Sequence, residues 1–429
     1  MSKNIEYIVE MVEKDYDLKV RKINKSITNG YLGDIYCIND TYILKIPKRG
    51  GVSNKPQGNV KFSAYLMNEA NLHGIPAPTN VISRNGLLYA KDFKLGEYHI
   101  MNKIKINESV DCLDKNEMAF LLGFHASQIT LLTSNLNMSC FNKNDYIDHW
   151  SLKNSICKIM DIFGLNFNMT YIDAVKKLEQ AAQNLSCFEH VPKTLIDQLR
   201  DFQPLKMIEI SKGKLERKQR KVRSVIIHND INPRNFAFGL EKKHVNILAS
   251  FDYTMSCLGN PAKNIAYTAI DSFNEEFDST DKLENYIYEI AKGTFVWDVL
   301  EKDEIYSVYD EVLSACLKKY SLRWEYWKNE IKGIPRCHNV EFLDPNKFYD
   351  LYNYLESSFD VKSLNGKLID LSKNNYSQNK QIIKIGDFLR SHSYWEQRNE
   401  TPELIKTTII QYCNGFLDEY FSKKVLNFN

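Results

Sequence analysis

The segment 224–238, SVIIHNDINPRNFAF, restricts what this chain can fold into more than any other. Small and apolar residues lead into His228, so a buried strand ends there and the chain turns. Polar side chains then crowd the strand's end: His228, Asn229, Asp230, Asn232 and Asn235. Pro233 excludes a helix or a central strand through the stretch. A loop fixed in this way aims several oxygen atoms at one point. Asp230 can orient an attacking hydroxyl or take its proton, and Asn235 can offer a neutral oxygen to Mg²⁺. The runs NFAFGL and VNILASF read as a hairpin that ends at Asp252, between Phe251 and Tyr253. A carboxylate at such a strand end suits a divalent ion bridging phosphates. His228 reads as scaffold, bonding the loop backbone rather than reacting.

Phosphoryl transfer also needs a cation on the nucleotide phosphates. Lys45 in TYILKIP is the candidate, an ionisable residue inside a strand-like apolar run. Glu69, on a helix expected over 61–73, is placed to pair with Lys45 and orient it. The turn SITNGYLGD carries Gly30 and Gly33, which could lay backbone N–H groups over phosphate. A plain hairpin would want glycine at the same places.

Around these residues the chain divides in two. An amphipathic helix is expected at 5–15, followed by short alternating runs, VRKINKSI, DIYCIND and TYILKIP, that read as antiparallel strands. The helix after them stops at Gly74, with Pro76 and Pro78 beyond. NVISRNGLLYAKDF and YHIMNKIKI read as further strands, with Asn85-Gly86 as a hairpin turn. From about 113 to 215 the pattern is helical, then come the short strands around His228 and Asp252, then helix again. The expectation is an α+β chain with a small β-rich N-terminal lobe, 1–104, and a large mainly helical lobe, 105–429.

The order of parts is Gly turn, strand Lys, helix Glu, loop Asp and Asn, strand-end Asp. It resembles the protein-kinase-like fold, and within it the aminoglycoside phosphotransferase and choline kinase group. That group has a loop of type H-G-D-x-x-x-x-N followed by an I-D-F/Y-type metal strand. Here the loop reads His228-Asn229-Asp230-Ile231-Asn232-Pro233-Arg234-Asn235, and the metal strand reads Ser250-Phe251-Asp252-Tyr253. LLGFHASQ, with His125, looks like the group's helix ahead of the loop. The resemblance covers roughly residues 15–270. It implies Asp230 as catalytic base, Asn235 and Asp252 as magnesium ligands, Lys45 on the phosphates of ATP or GTP, and Glu69 as its partner. Residues 100–104, including Met101 and Lys103, would be the hinge that meets the base through backbone groups. There are departures: Asn229 and Arg234 stand where the group usually has Gly, and Asn264 in GNPAKNIA stands where an Asp commonly supports the loop.

Composition narrows the remaining choices. With 43% hydrophobic and 26% charged residues the chain has the make-up of a globular protein with a core. A formal charge of +2 gives no reason to expect nucleic acid or a membrane surface as partner. The basic stretch 212–223, with seven Lys or Arg against one Glu, reads as a solvated connector. Nine scattered cysteines form no C-x-x-C pair, and Cys337-His338 reads as structural. Without a secretory leader or an apolar run of about 18 residues, the cytoplasm is the expected compartment.

The acceptor is less constrained. Residues 271–311 hold thirteen Asp or Glu against three Lys, together with eight aromatics. Acid with aromatics suits a small, hydroxylated, cationic acceptor, but equally a solvated helix surface with its rings turned inward. A protein or peptide acceptor, or a nucleotide-binding regulator without transfer activity, are the alternatives. The regulator is disfavoured by intact Asp230, Asn235 and Asp252. Residues 315–429 show no motif tied to chemistry.

Overall fold

A computed structural model of the chain describes residues 5–25, 33–47, 60–72, 74–104, 114–133, 141, 148, 151–215, 222–241, 244–276, 282–298, 300–334 and 344–378. Gly30, Cys337 and His338 lie outside them.

The opening periodicity forms helix α1 (Ile5–Asp15), which buries Ile8, Met11 and Val12. Five antiparallel strands follow: β1 (Ile23–Lys25), β2 (Gly33–Ile38), β3 (Tyr42–Pro47), β4 (Ala90–Asp92) and β5 (Gly96–Asn102), in the order β1-β2-β3-β5-β4. Lys45 sits in the central strand of this sheet, directly opposite Ile35 on one side and His99 on the other. Partners directly opposite share a face, so Lys45 and His99 point the same way.

Between β3 and β4, helix α2 (Val60–Leu72) ends at Gly74, which adopts a positive φ of 75°. The amides of Gly74 and Ile75 reach back to Asn71 O and Ala70 O, which satisfies carbonyls of the last turn. The stretch 80–93 is mostly irregular, contrary to the strand expected there. Only β4 pairs as a strand, while Asn80 and Ser83 make isolated bridges to Met101 and Tyr16. The ladder stops after Val81, whose amide donates to Ile100 O, because the Ser83 amide turns to Leu87 O instead of a neighbouring strand. Gly86 does form a tight turn, its amide bonded to Ser83 O, but the hairpin joining β4 to β5 turns at Phe93–Leu95 instead.

The second part is helical. In order come α3 (Lys115–Thr133), α4 (Leu152–Phe163), α5 (Tyr171–Ser186), α6 (Lys193–Arg200) and α7 (Gln203–Leu215), as the periodicity of 113–215 indicates. After two short two-stranded ribbons follow α8 (Lys263–Glu276), α9 (Leu283–Trp297), α10 (Lys302–Tyr326), α11 (Lys328–Ile331), α12 (Asn346–Ser357) and α13 (Val361–Gln378). The ribbons pair β6 (Val225–Ile227) with β9 (Cys257–Gly259), and β7 (Phe236–Glu241) with β8 (His244–Ser250). α3 and α9 cross backbone to backbone. A Cβ on Gly123 would lie 2.1 Å from the Ile290 carbonyl oxygen, and one on Gly293 would lie 2.0 Å from that of Phe120. Only glycine fits that crossing.

One apolar cluster fixes the relation of the two parts. Phe62, Leu66, Met67 and Ala70 of α2 pack with Met101 of β5, Ile129 of α3, Ile226 of β6 and Tyr253 beside Asp252. The basic connector ends in ion pairs on both described sides, Lys214 with Glu356 and Arg223 with Glu304 and Asp298. Among the described residues no helix is long and apolar enough to cross a membrane.

Candidate active site

Strand β6 delivers His228 into the interior, where it is fully buried. Its Nε2 donates to the Phe251 carbonyl at 3.0 Å, stitching the loop to the strand that carries Asp252. Burial pushes its pKa down to about 4, so the ring is neutral near pH 7. This geometry fits the scaffold reading.

Asn229 has φ 61°, in the left-handed region. That explains both the glycine at this place in the related motif and the tolerance of asparagine, whose short polar side chain accepts this backbone better than most. Asp230 follows. Asn235, on the 3-10 turn Pro233–Asn235, donates through Nδ2 to the Asp230 carbonyl at 2.8 Å and to Asp230 Oδ2 at 2.9 Å. Asn232 adds weaker bonds to the same residue at 3.4 Å. Burial pushes the Asp230 carboxyl up, with the nearby Lys318 ammonium opposing. A carboxylate so placed can accept a proton while its orientation is held.

Asp252 ends the hairpin in a left-handed conformation, φ 57°. Its Oδ1 accepts from Lys45 Nζ and from Thr254 Oγ1. Burial works against its charge, but the Lys45 ammonium prevails and holds the carboxyl at about 2. The Phe251 amide donates to Asn235 O at 2.7 Å, which sets Asn235 beside Asp252. With Asn235 Nδ2 committed to Asp230, its Oδ1 is turned away as an acceptor. One neutral amide oxygen and one carboxylate form the hard-oxygen donor set that Mg²⁺ prefers, so the residues present fit that ion.

Lys45 thus meets Asp252 across some two hundred residues of sequence. Glu69 lies half-buried on α2, the helix packed on the turn after Asp252. Gly33 opens β2, opposite Pro47. Of the residues expected at a hinge, Met101 is buried and Lys103 exposed, and the amides of Asn102 and Lys103 donate to Thr79 O and Thr41 O.

His99 and Thr130 had no clear sequence signal, whereas His125 and Asn264 stand in motifs whose partners the sequence does not give. His125 on α3, lowered by burial to about 3, shares a 2.8 Å hydrogen bond with Ser250 Oγ, and Ser250 also bonds Pro76 O. His99 hands its Nδ1 hydrogen to Asn80 Oδ1 on the way to α2. Asn264 reaches the loop by relay: its Nδ2 donates to Thr130 Oγ1 at 2.8 Å, and Thr130 donates to Ile226 O at 2.9 Å. The departure from Asp therefore still supports β6. Thr130→Val is expected to cost about 1–3 kcal/mol, because it strands the Asn264 amide and the Ile226 carbonyl in the interior. A thermal melt unchanged within a degree would contradict the relay.

The acid-rich segment resolves into internal contacts. Asp271 pairs with Lys318 and Lys319, Glu284 with Lys367, Glu289 with Lys292, and Asp298 with Glu304 on Arg223. Tyr286, Phe295 and Trp297 are core residues. Among the described residues, these five carboxylates and three rings are engaged in ion pairs or in the core.

No protein-family model matches this sequence, and no curated protein sequence does either. Solved structures match it along most of its length. An amicoumacin kinase in complex with AMP-PNP, Ca²⁺ and Ami superposes with a TM-score of 0.55 at 12% identity, covering 84% of this chain and 97% of that one. A spectinomycin phosphotransferase in complex with ADP and spectinomycin gives 0.48 at 11%, over 86% and 98%. The GDP complex of an aminoglycoside 2′-phosphotransferase gives 0.43 at 12%, over 87% and 100%. At such identities the first of these shows the fold. The chain has the kinase-like architecture, a small antiparallel sheet region followed by a mainly helical one.

Proposed function

We propose that this protein is a phosphotransferase that moves the γ-phosphate of ATP, or GTP, to a hydroxyl of a small amine-bearing molecule. The convergence of Asp230, Asn235, Asp252 and Lys45 through linked contacts carries this reading. Asp230 takes the proton of the acceptor hydroxyl as its oxygen bonds to the γ-phosphorus, and the nucleoside diphosphate leaves with the bond to that phosphorus. Asn235 keeps the carboxylate aimed, and its bond to Asp230 leaves its own carbonyl oxygen for the metal. Mg²⁺, held by Asn235 and Asp252, would neutralise charge on the phosphates when bound.

Lys45 changes partners in this scheme. Its ammonium is paired with Asp252, and phosphate oxygens would compete for it. The neighbouring solved structures support the acceptor class only in outline: one is named for amicoumacin and another for spectinomycin.

The decisive experiment incubates purified protein with Mg²⁺ and γ-labelled ATP or GTP. The acceptors are a panel of aminoglycosides, amino alcohols, small neutral alcohols and a cell extract. Label in an amine-bearing small molecule is the expected result. Label in protein alone would replace this reading with a protein kinase, and no nucleotide binding would end it. Lys45→Met is expected to weaken MgATP binding about tenfold, the loss of roughly one charge-assisted contact. Unchanged affinity by titration calorimetry would remove Lys45 from the phosphate site.

A further inference from the structure

We infer that Lys318 of α10 is a positioning residue for the catalytic loop, tethering it from the helical side and setting the aim of Asp230. The inference rests on the phosphotransferase reading for its kinetic consequences, but not for its geometry.

Lys318 is almost completely buried. Its Nζ donates to the Asn229 carbonyl at 3.2 Å and lies 3.4 Å from Asp271 Oδ2 on α8. Burying an ammonium is costly, and an apolar side chain of the same length would avoid that cost. Neutralising Asp271 does not account for it, because Lys319 already reaches Asp271 Oδ1 at 2.8 Å. Lys318 and the half-buried Lys319 thus face two carboxyls, Asp271 and, acting through its charge, Asp230. Of the two Lys318 contacts, the closer is to the residue just before Asp230.

The place of that contact matters. Asn229 is the left-handed residue of the loop, and its carbonyl belongs to the peptide that leads into Asp230. Fixing that oxygen fixes the plane of the Asn229–Asp230 peptide, and with it the direction in which the carboxylate leaves the backbone. On the far side, the Asp230 carbonyl is taken by Asn235. The peptides before and after the proposed base are thus each held by one side chain. The stem of Lys318 runs beside the Tyr267 ring, with Nζ 4.9 Å from its centre, so the ammonium is itself confined. The Asn264–Thr130 relay ends on Ile226, three residues before the loop's turn, and leaves the Asn229 carbonyl to Lys318.

Lys318→Met tests this. It keeps the stem against Tyr267, leaves the Lys319–Asp271 pair intact and removes the donor, together with the charge that draws the Asp230 carboxyl down; Lys318→Arg keeps that charge. Three readings are taken on wild type, Lys318→Met and Lys318→Arg: KM for MgATP, kcat for release of phosphate to water or acceptor, and amide exchange over residues 226–235. The expected result is a KM within about twofold of wild type and a kcat lower by about tenfold or more, since small displacements of a reacting group cost on that order. Faster exchange in the loop and partial recovery of kcat in the Arg variant complete it. A kcat within about twofold of wild type overturns the inference, as does a loss shared equally by KM and kcat. Unchanged exchange in Lys318→Met overturns the tether whatever the turnover. A wild-type protein that neither binds nor turns over MgATP defeats the phosphotransferase reading instead, and the exchange comparison still decides the tether.

Discussion

Asp230→Asn is expected to fold as well as the wild type while transferring phosphate on the order of 10² to 10⁴ times more slowly. The substitution preserves shape and an acceptor oxygen, so Asn235 Nδ2 keeps a partner near its present 2.9 Å. What disappears is the basic group that receives the hydroxyl proton. Stability should move the other way, and the sign follows from the pKa. Burial raises the Asp230 pKa in the folded state, so ionising it above its unfolded pKa costs folding stability, a cost fully present once pH exceeds the folded pKa. A neutral amide removes that cost, and the melting temperature at pH 7 should hold or rise. Activity and stability would then be opposed at one residue, as expected where a site keeps an unfavourable charge for its chemistry. Steady-state transfer with a melting curve on the same sample checks both. Transfer at the wild-type rate would mean that Asp230 is not the base.

The second large effect lies far from the chemistry. Gly293→Ala is expected to destabilise the fold by about 2–3 kcal/mol net, even though alanine favours a helix over glycine by about 1 kcal/mol. The added methyl would meet Phe120 O at 2.0 Å and Phe124 N at 2.7 Å. Those are backbone atoms of α3 and cannot rotate aside, so the helices must separate. Separation reaches the site because α3 also carries His125, bonded to Ser250, and Thr130, bonded to Ile226. One helix holds both the strand into Asp230 and the strand into Asp252. Turnover should therefore fall at temperatures where the variant is still folded. A melting temperature within a degree of wild type would show that α3 and α9 do not approach this closely.

Much of the site could be read from one stretch of chain because its physics is local. A buried strand running into His228, a proline that bars helix, and Asp and Asn at fixed spacing need no tertiary knowledge. The strand pattern around Lys45 was equally local. The segment 80–93 shows the opposite case, because its apolar residues suggest a strand. Yet after Val81 the Ser83 amide turns back to Leu87 O and only Ala90–Asp92 pairs as a strand. Pattern alone does not say which stretch finds a partner. The acid-rich run 271–311 was open to two readings for a related reason. Composition counts charges but does not say which lysine faces which carboxylate. In the structure Lys318, Lys319 and Arg223 neutralise acids distant in sequence.

The sequence by itself determined the chemical parts, their order and the fold class, because periodicity, turn residues and short motifs act over a few residues. Only the tertiary structure decided that Lys45 rests on Asp252, that Asn264 works through Thr130, and that a buried lysine on α10 grips the peptide before Asp230. Each of these depends on two groups meeting across tens to hundreds of residues. Such meetings are set by how helices and sheet pack around glycine-sized contacts and apolar clusters, and no local pattern encodes them.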